Sequence, residues 1–195
     1  MSAMSGASRR ETQPAPPASA YTRTAQWLHW LVAVLILANL TLGLTMVDMP
    51  GISPAKLRFF NWHKWVGVTV FALVALRLAW RWLHPPPALP AAMPDWERRA
   101  AKASHAALYV LMVALPLSGY FYSLAAGFPV VYLGVLPLPV LIEPDPQLKQ
   151  VLVVLHHVLA WTLMALLALH IAAALKHRIV DRDGVLERML PRWRR

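Results

Sequence analysis

The chain has 195 residues, of which 58% are apolar and 14% charged, with a mean hydropathy of +0.47. Soluble domains of this size rarely run so apolar, so the composition points to a membrane protein. With no cysteine, disulfides, thiolate-bound iron–sulfur clusters and covalently attached c-type haem are excluded, and any metal or haem must be held by His, Met or carboxylates.

The first 20 residues, MSAMSGASRRETQPAPPASA, are small, polar and proline-containing. They read as a disordered cytoplasmic tail without a cleavable signal peptide, which leaves the first apolar segment as the insertion signal. Four apolar blocks follow, near Trp27–Val47, Trp62–Leu83, His105–Leu124 and Val151–Leu175. Each is long enough to cross about 30 Å of hydrocarbon as a helix. Trp27 and Trp30 open the first span and Trp62 and Trp65 the second, as expected of indoles at a lipid–water boundary. HPPPALP at His84–Pro90 stops the second span. The apolar, proline-rich run Pro129–Pro146 forms a long outer loop, and the basic stretch after Lys176 a short cytoplasmic helix or tail. The predicted organisation is a disordered tail over 1–20, an all-α integral membrane domain of four transmembrane helices over 21–191, and a basic tail over 192–195. Short inner connections and polar residues within spans suggest a four-helix bundle with a cofactor in its core.

The net charge is +10, but its distribution argues against a nucleic-acid surface. Of the 19 Lys and Arg residues, 15 fall on the side that holds both ends of the chain and the loop between the second and third spans. The other side holds Lys56, Arg58, Lys64 and Lys149. The positive-inside rule then makes both termini cytoplasmic.

Ionisable groups within spans are costly and tend to face the bundle interior. By this topology His29 and His105 lie near the cytoplasmic end of their helices, and His63 and His156 near the outer end. His156 and His170 are 14 residues apart, which is a rise of about 21 Å and a rotation some 40° short of four turns. They share a face near opposite sides of the membrane, whereas His157 points roughly away from His170. Two levels result: His63 with His156 outside, and His170 with His29 inside, with His105 either replacing His29 or facing a quinone. Two imidazoles from different helices at one depth are too few for a closed zinc site but suit the axial positions of a haem iron. His84 and His157 read as interfacial residues. Gly43 and Gly119 follow His29 and His105 by 14 residues, and Gly67 follows His63 by one turn. Small residues there would let a macrocycle approach the helix backbone, and ordinary small-residue helix packing is the alternative.

The segments QWLHWLVAVL, NWHKWVG, SHAALYVLMVALPLSGY and LHHVLAW…ALHIAAALKHR occur in this order from about Tyr21 to Pro191. As an ordered set they resemble the prokaryotic cytochrome b561 family, related to the cytochrome b subunits of nickel–iron hydrogenase and formate dehydrogenase. The resemblance implies two b-type haems in a four-helix bundle of the bacterial inner membrane. It implies His29 with His170 as ligands of the cytoplasmic haem, and His63 with His156 as ligands of the periplasmic haem. It also implies either a superoxide oxidase that passes electrons from periplasmic superoxide to ubiquinone, or a relay subunit serving a dehydrogenase partner. A homo-oligomer fits either form, and a non-haem membrane scaffold or carrier is the remaining class.

Lys56, Arg58 and Lys64 lie within seven positions of His63, and Lys149 lies within seven of His156. Positive charge there would attract a small anion such as superoxide; snorkelling at the interface or docking of an acidic partner would use the same residues. His177, seven residues after His170, is on nearly the same face about 10 Å further along. It and His105 are the candidate quinone contacts, His177 having the alternative of complementing the helix C-terminus.

Overall fold

The computed structural model describes residues 20–191. Residues 1–19 of the proposed 1–20 tail, and the basic tail over 192–195, lie outside the described residues. Four helices dominate: α1 (Arg23–Asp48), α2 (Pro54–Leu83), α3 (Asp95–Ala125) and α4 (Pro146–Lys176). All four are long and apolar enough to cross a membrane.

Each helix begins earlier than hydropathy alone suggests, and in α1, α2 and α4 a polar cap sets the start. Thr22 Oγ1 accepts from the Ala25 N–H, and Ser53 Oγ from the Lys56 N–H. Asp145 Oδ1 accepts from the N–H groups of Gln147 and Leu148. Pro54 and Pro146 occupy first-turn positions, where a missing N–H costs nothing. Asp95 and Glu97 sit in the first turn of α3, complementing its dipole. As a result Lys56 and Arg58 belong to α2 itself, and His105 lies ten residues inside α3.

The proline-rich outer loop contains a small antiparallel hairpin, β1 (Val131–Tyr132) with β2 (Leu136–Pro137), in which Val131 faces Pro137 and Tyr132 faces Leu136. Leu133 and Gly134 turn the chain with φ of 52° and 75°. Trp65 Nε1 donates to the Val131 carbonyl at 2.7 Å, and Thr69 Oγ1 bonds the Tyr132 hydroxyl at 2.9 Å, so the hairpin is clamped to the outer half of α2. At the other end α4 passes into a π-helical turn, His177–Asp181, closed by Arg182 in the left-handed region. The chain then folds back onto α1: Gln26 Nε2 and Trp30 Nε1 donate to the carbonyls of Arg188 and Met189. The stretch after Lys176, which the sequence suggests as a short helix or tail, is a short π-helix followed by a turn docked on the bundle.

The bundle keeps a seven-residue register. His29, Ile36 and Gly43 on α1 are spaced by seven, as are His63, Val70 and Arg77 on α2. The same holds for His105, Met112 and Gly119 on α3 and for His156, Leu163 and His170 on α4. A seven-residue repeat on helices of 3.6 residues per turn imposes the left-handed packing of four-helix bundles. The middle members belong to one apolar layer, with Val32, Val74, Leu108 and Leu111, in which Val70 and Leu163 are 4% and 3% exposed. This layer separates the two levels of histidines.

Candidate functional site

α1 packs most extensively on α2, and α3 on α4. Between α4 and either α1 or α2, by contrast, Cα atoms almost nowhere come within 8 Å. The histidine pairs bridge these two wider helix separations. His63 on α2 and His156 on α4 have ring centroids 6.1 Å apart, and His29 on α1 and His170 on α4 have theirs 6.2 Å apart. An iron bound by two imidazole nitrogens at about 2 Å each, with each centroid about 1 Å further back, sets centroids roughly 6 Å apart. At these spacings each pair could hold a haem iron between its two imidazoles.

His105 is also at the inner level, 5.5 Å from His170. It projects from α3, the helix packed most closely on α4, so a macrocycle between this pair would have to part the tightest seam of the bundle.

At the outer level the ring orientations follow from the hydrogen bonds. His63 Nδ1 lies 3.0 Å from the Asn39 carbonyl oxygen, which only accepts, so Nδ1 carries the proton. Ser118 Oγ donates to the Leu115 carbonyl at 2.8 Å and therefore accepts from His156 Nδ1 at 2.9 Å. Both imidazoles thus present an unprotonated Nε2, the tautomer that binds a metal, with the orienting bond that metal-ligating histidines use. Ser118, Asn39 and Leu115 were not singled out from sequence; the pairing of a serine with a neighbouring core glycine was the available signal.

The glycines have specific neighbours. A Cβ on Gly119 would lie 2.9 Å from His156 Cε1, and one on Gly43 would lie 3.1 Å from His63 Cε1. Both glycines clear space for imidazoles on the adjoining helix. Gly67 instead faces Asn39 Nδ2 at an ordinary 3.6 Å. Asn39 Oδ1 is buried without a partner among the described residues, an open acceptor at this end of the bundle.

Other histidines separate as their helix faces imply. His157 is exposed while His156 is half-buried, and His84 is exposed and stacks on Trp80 with centroids 4.1 Å apart. His177 lies beyond the inner level, with Nδ1 2.8 Å from Asp183 and 3.1 Å from Asp181. Glu97, His177 and Asp181 approach closely enough to suggest a cation site. The Lys176 ammonium already bridges Glu97 and Asp181 at 2.8 Å to each, which accounts for the cluster as an ion network. On the outer side, Lys56 Nζ donates to the Met49 carbonyl at 2.7 Å and closes the α1–α2 turn. Lys64 is half-buried beside His63, while Arg58 and Lys149 are exposed.

This arrangement on four spanning helices agrees with a comparison of the chain against known families, in which the model of prokaryotic cytochrome b561 matches residues 20–192. The chain belongs to the prokaryotic cytochrome b561 family. It is 35% identical to cytochrome b561 homolog 2 of Escherichia coli (strain K12) over 163 residues, 83% of this chain and 86% of that one. It is 27% identical to cytochrome b561 homolog 1 of the same organism over 172 residues, 88% of this chain and 97% of the other. A probable superoxide oxidase of Yersinia pestis, CybB, is 27% identical over 172 residues, covering 86% and 93%. Cytochrome b561 proteins bind haem b and transfer electrons in membranes, so the chain is a multi-pass bacterial membrane protein of that kind. The paired imidazoles, and the Nε2 lone pairs fixed at the outer level, fit such a group.

Proposed function

We propose that the protein is a di-haem superoxide oxidase of the bacterial inner membrane, carrying electrons from superoxide outside to ubiquinone at the cytoplasmic side. The carrying observation is the pair of bridged seams: two imidazole pairs, each about 6 Å between centroids, at opposite ends of one seven-residue register. His63 and His156 would hold the outer haem, and His29 and His170 the inner one. When bound, haem b supplies a one-electron carrier at each level. Two superoxide anions then leave as dioxygen, and one ubiquinone takes up two electrons and two protons.

The chain's own residues have distinct tasks in this scheme. Lys64, Arg58, Lys56 and Lys149 give the outer end a positive field that raises the encounter rate of a small anion. The central layer of Ile36, Val70, Met112 and Leu163 excludes water between the levels. Asp183 and Asp181 engage His177 Nδ1, which leaves its Nε2 free to take up and pass on a proton. This supports His177 over His105 as the group that protonates the quinone, since His105 is packed against His170 in the interior.

The test is superoxide-driven reduction of ubiquinone by the purified chain in liposomes. Turnover by the chain alone is expected, and His177→Gln should slow it with haem content unchanged. Absence of turnover, together with co-purification of a dehydrogenase subunit, would replace this reading with that of a relay subunit. A purified chain without haem absorption would leave only a scaffold or carrier.

A further inference from the structure

The register that places His29, His105 and His170 at the inner level places an arginine there from α2, the remaining helix. Arg77 follows His63 by 14 residues, as His170 follows His156. It lies within Coulombic range of all three inner histidines. Its Nε donates to the Tyr109 hydroxyl at 2.9 Å, and one terminal nitrogen donates to the Ala25 carbonyl at 3.3 Å. One turn nearer the cytoplasmic end, Arg81 sits over the same Tyr109 ring, with the two guanidinium carbons 5.9 and 5.8 Å from its centroid. A shallow recess lined by Tyr21, Ala25, Trp80 and Tyr109 opens beside both.

Neither arginine has a carboxylate partner among the described residues. The acidic groups at this end are committed elsewhere: Glu97 and Asp181 to Lys176, Asp183 to His177, Asp95 to Arg98 and Glu187 to Arg178. Two guanidinium groups half-buried at a membrane-spanning level, held on one tyrosine and left without a counter-charge, are costly unless an anion completes them. A guanidinium fork matches a carboxylate in two parallel hydrogen bonds, and haem b carries two carboxylate side chains.

We infer that Arg77 and Arg81, aligned by Tyr109, form the carboxylate-binding site for the haem held by His29 and His170. The inference rests on the haem reading above and adds to it a site for the rim of the macrocycle. The outer level has no arginine in the equivalent register, where Gly43 and Gly119 take those positions. The two haems would therefore differ in charge environment, the inner one lying beside two fixed cations that stabilise its reduced state.

The experiment uses the holoprotein from cells fed 5-aminolevulinate labelled with carbon-13 at its carboxyl carbon, which marks only the haem carboxylates. Redox-difference infrared spectra are recorded for the parent and for Arg77→Lys, Arg77→Gln and Arg81→Gln, each also in a His63→Ala background that isolates the inner haem. The isotope-sensitive carboxylate bands of the inner haem should shift in all three variants. Its midpoint potential should fall in the two Gln variants and stay near the parent value in Arg77→Lys, which keeps the charge but loses the fork. Unshifted bands with haem content intact would overturn the inference, and would do so most directly if the variants also lost bound phospholipid, since the anion would then be a lipid phosphate. A parent protein that binds no haem would instead refute the haem reading itself.

Discussion

A single methyl group separates three glycines that look alike in sequence. At Gly119 an added Cβ meets His156 at 2.9 Å, at Gly43 it meets His63 at 3.1 Å, and at Gly67 it finds only Asn39 at 3.6 Å. Gly119→Ala is therefore expected to displace the His156 ring and reduce outer haem on the order of tenfold, in the range seen when ligand support is lost. Gly43→Ala should have a smaller effect and Gly67→Ala almost none, all read as haem absorption per chain. Equal losses at the three sites would contradict this reading of the clearances. Ser118→Ala tests the orienting bond: it removes the acceptor of His156 Nδ1, and outer-haem affinity should drop about 10- to 100-fold. Ser118→Thr, which keeps the hydroxyl, should retain most of it.

At the scale of the helices, the layer between the two levels holds the bundle together. Leu163→Ala empties a position that is 3% exposed and central to the apolar cluster. A loss of about 2–5 kcal/mol is expected, measured as a lowered unfolding temperature in detergent, with the haem spectrum of the folded fraction unchanged. A changed spectrum with unaltered stability would show that Leu163 acts on the cofactors and not on packing. How much was legible in the sequence also differs by element. The separation of His156 from His157 followed from helix rotation alone, and the structure leaves His157 exposed. Helix starts were not legible from hydropathy, because Thr22, Ser53 and Asp145 set them by capping outside the apolar blocks. Nor was the outer hairpin, whose register depends on contacts of Trp65 and Thr69 across 66 and 63 positions of chain. Arg77 was legible in principle, since the 14-residue spacing that marks His170 marks it too, but as a cation near a helix end it read as a topology signal.

For the whole molecule, charge and depth act together. The side facing the cytoplasm in the proposed orientation carries 15 of the 19 basic residues, and the four on the other side gather near His63 and His156. If that outer cluster draws in superoxide, the bimolecular rate should fall as ionic strength rises, because screening shortens the reach of the field to about 8 Å at physiological salt. Lys64→Gln should lower the rate at low salt and flatten its salt dependence. A rate insensitive to salt would assign Lys64 to the lipid interface or to a protein partner. The central claim, however, is that two imidazole pairs across the α4 seams hold two haems. Its most direct test is a reduced-minus-oxidised spectrum with haem quantified per chain, for the parent, His156→Ala and His157→Ala. The account predicts two haems per chain in the parent, loss of the outer one in His156→Ala, and parental content in His157→Ala. One haem in the parent, or equal losses in the two variants, would contradict it.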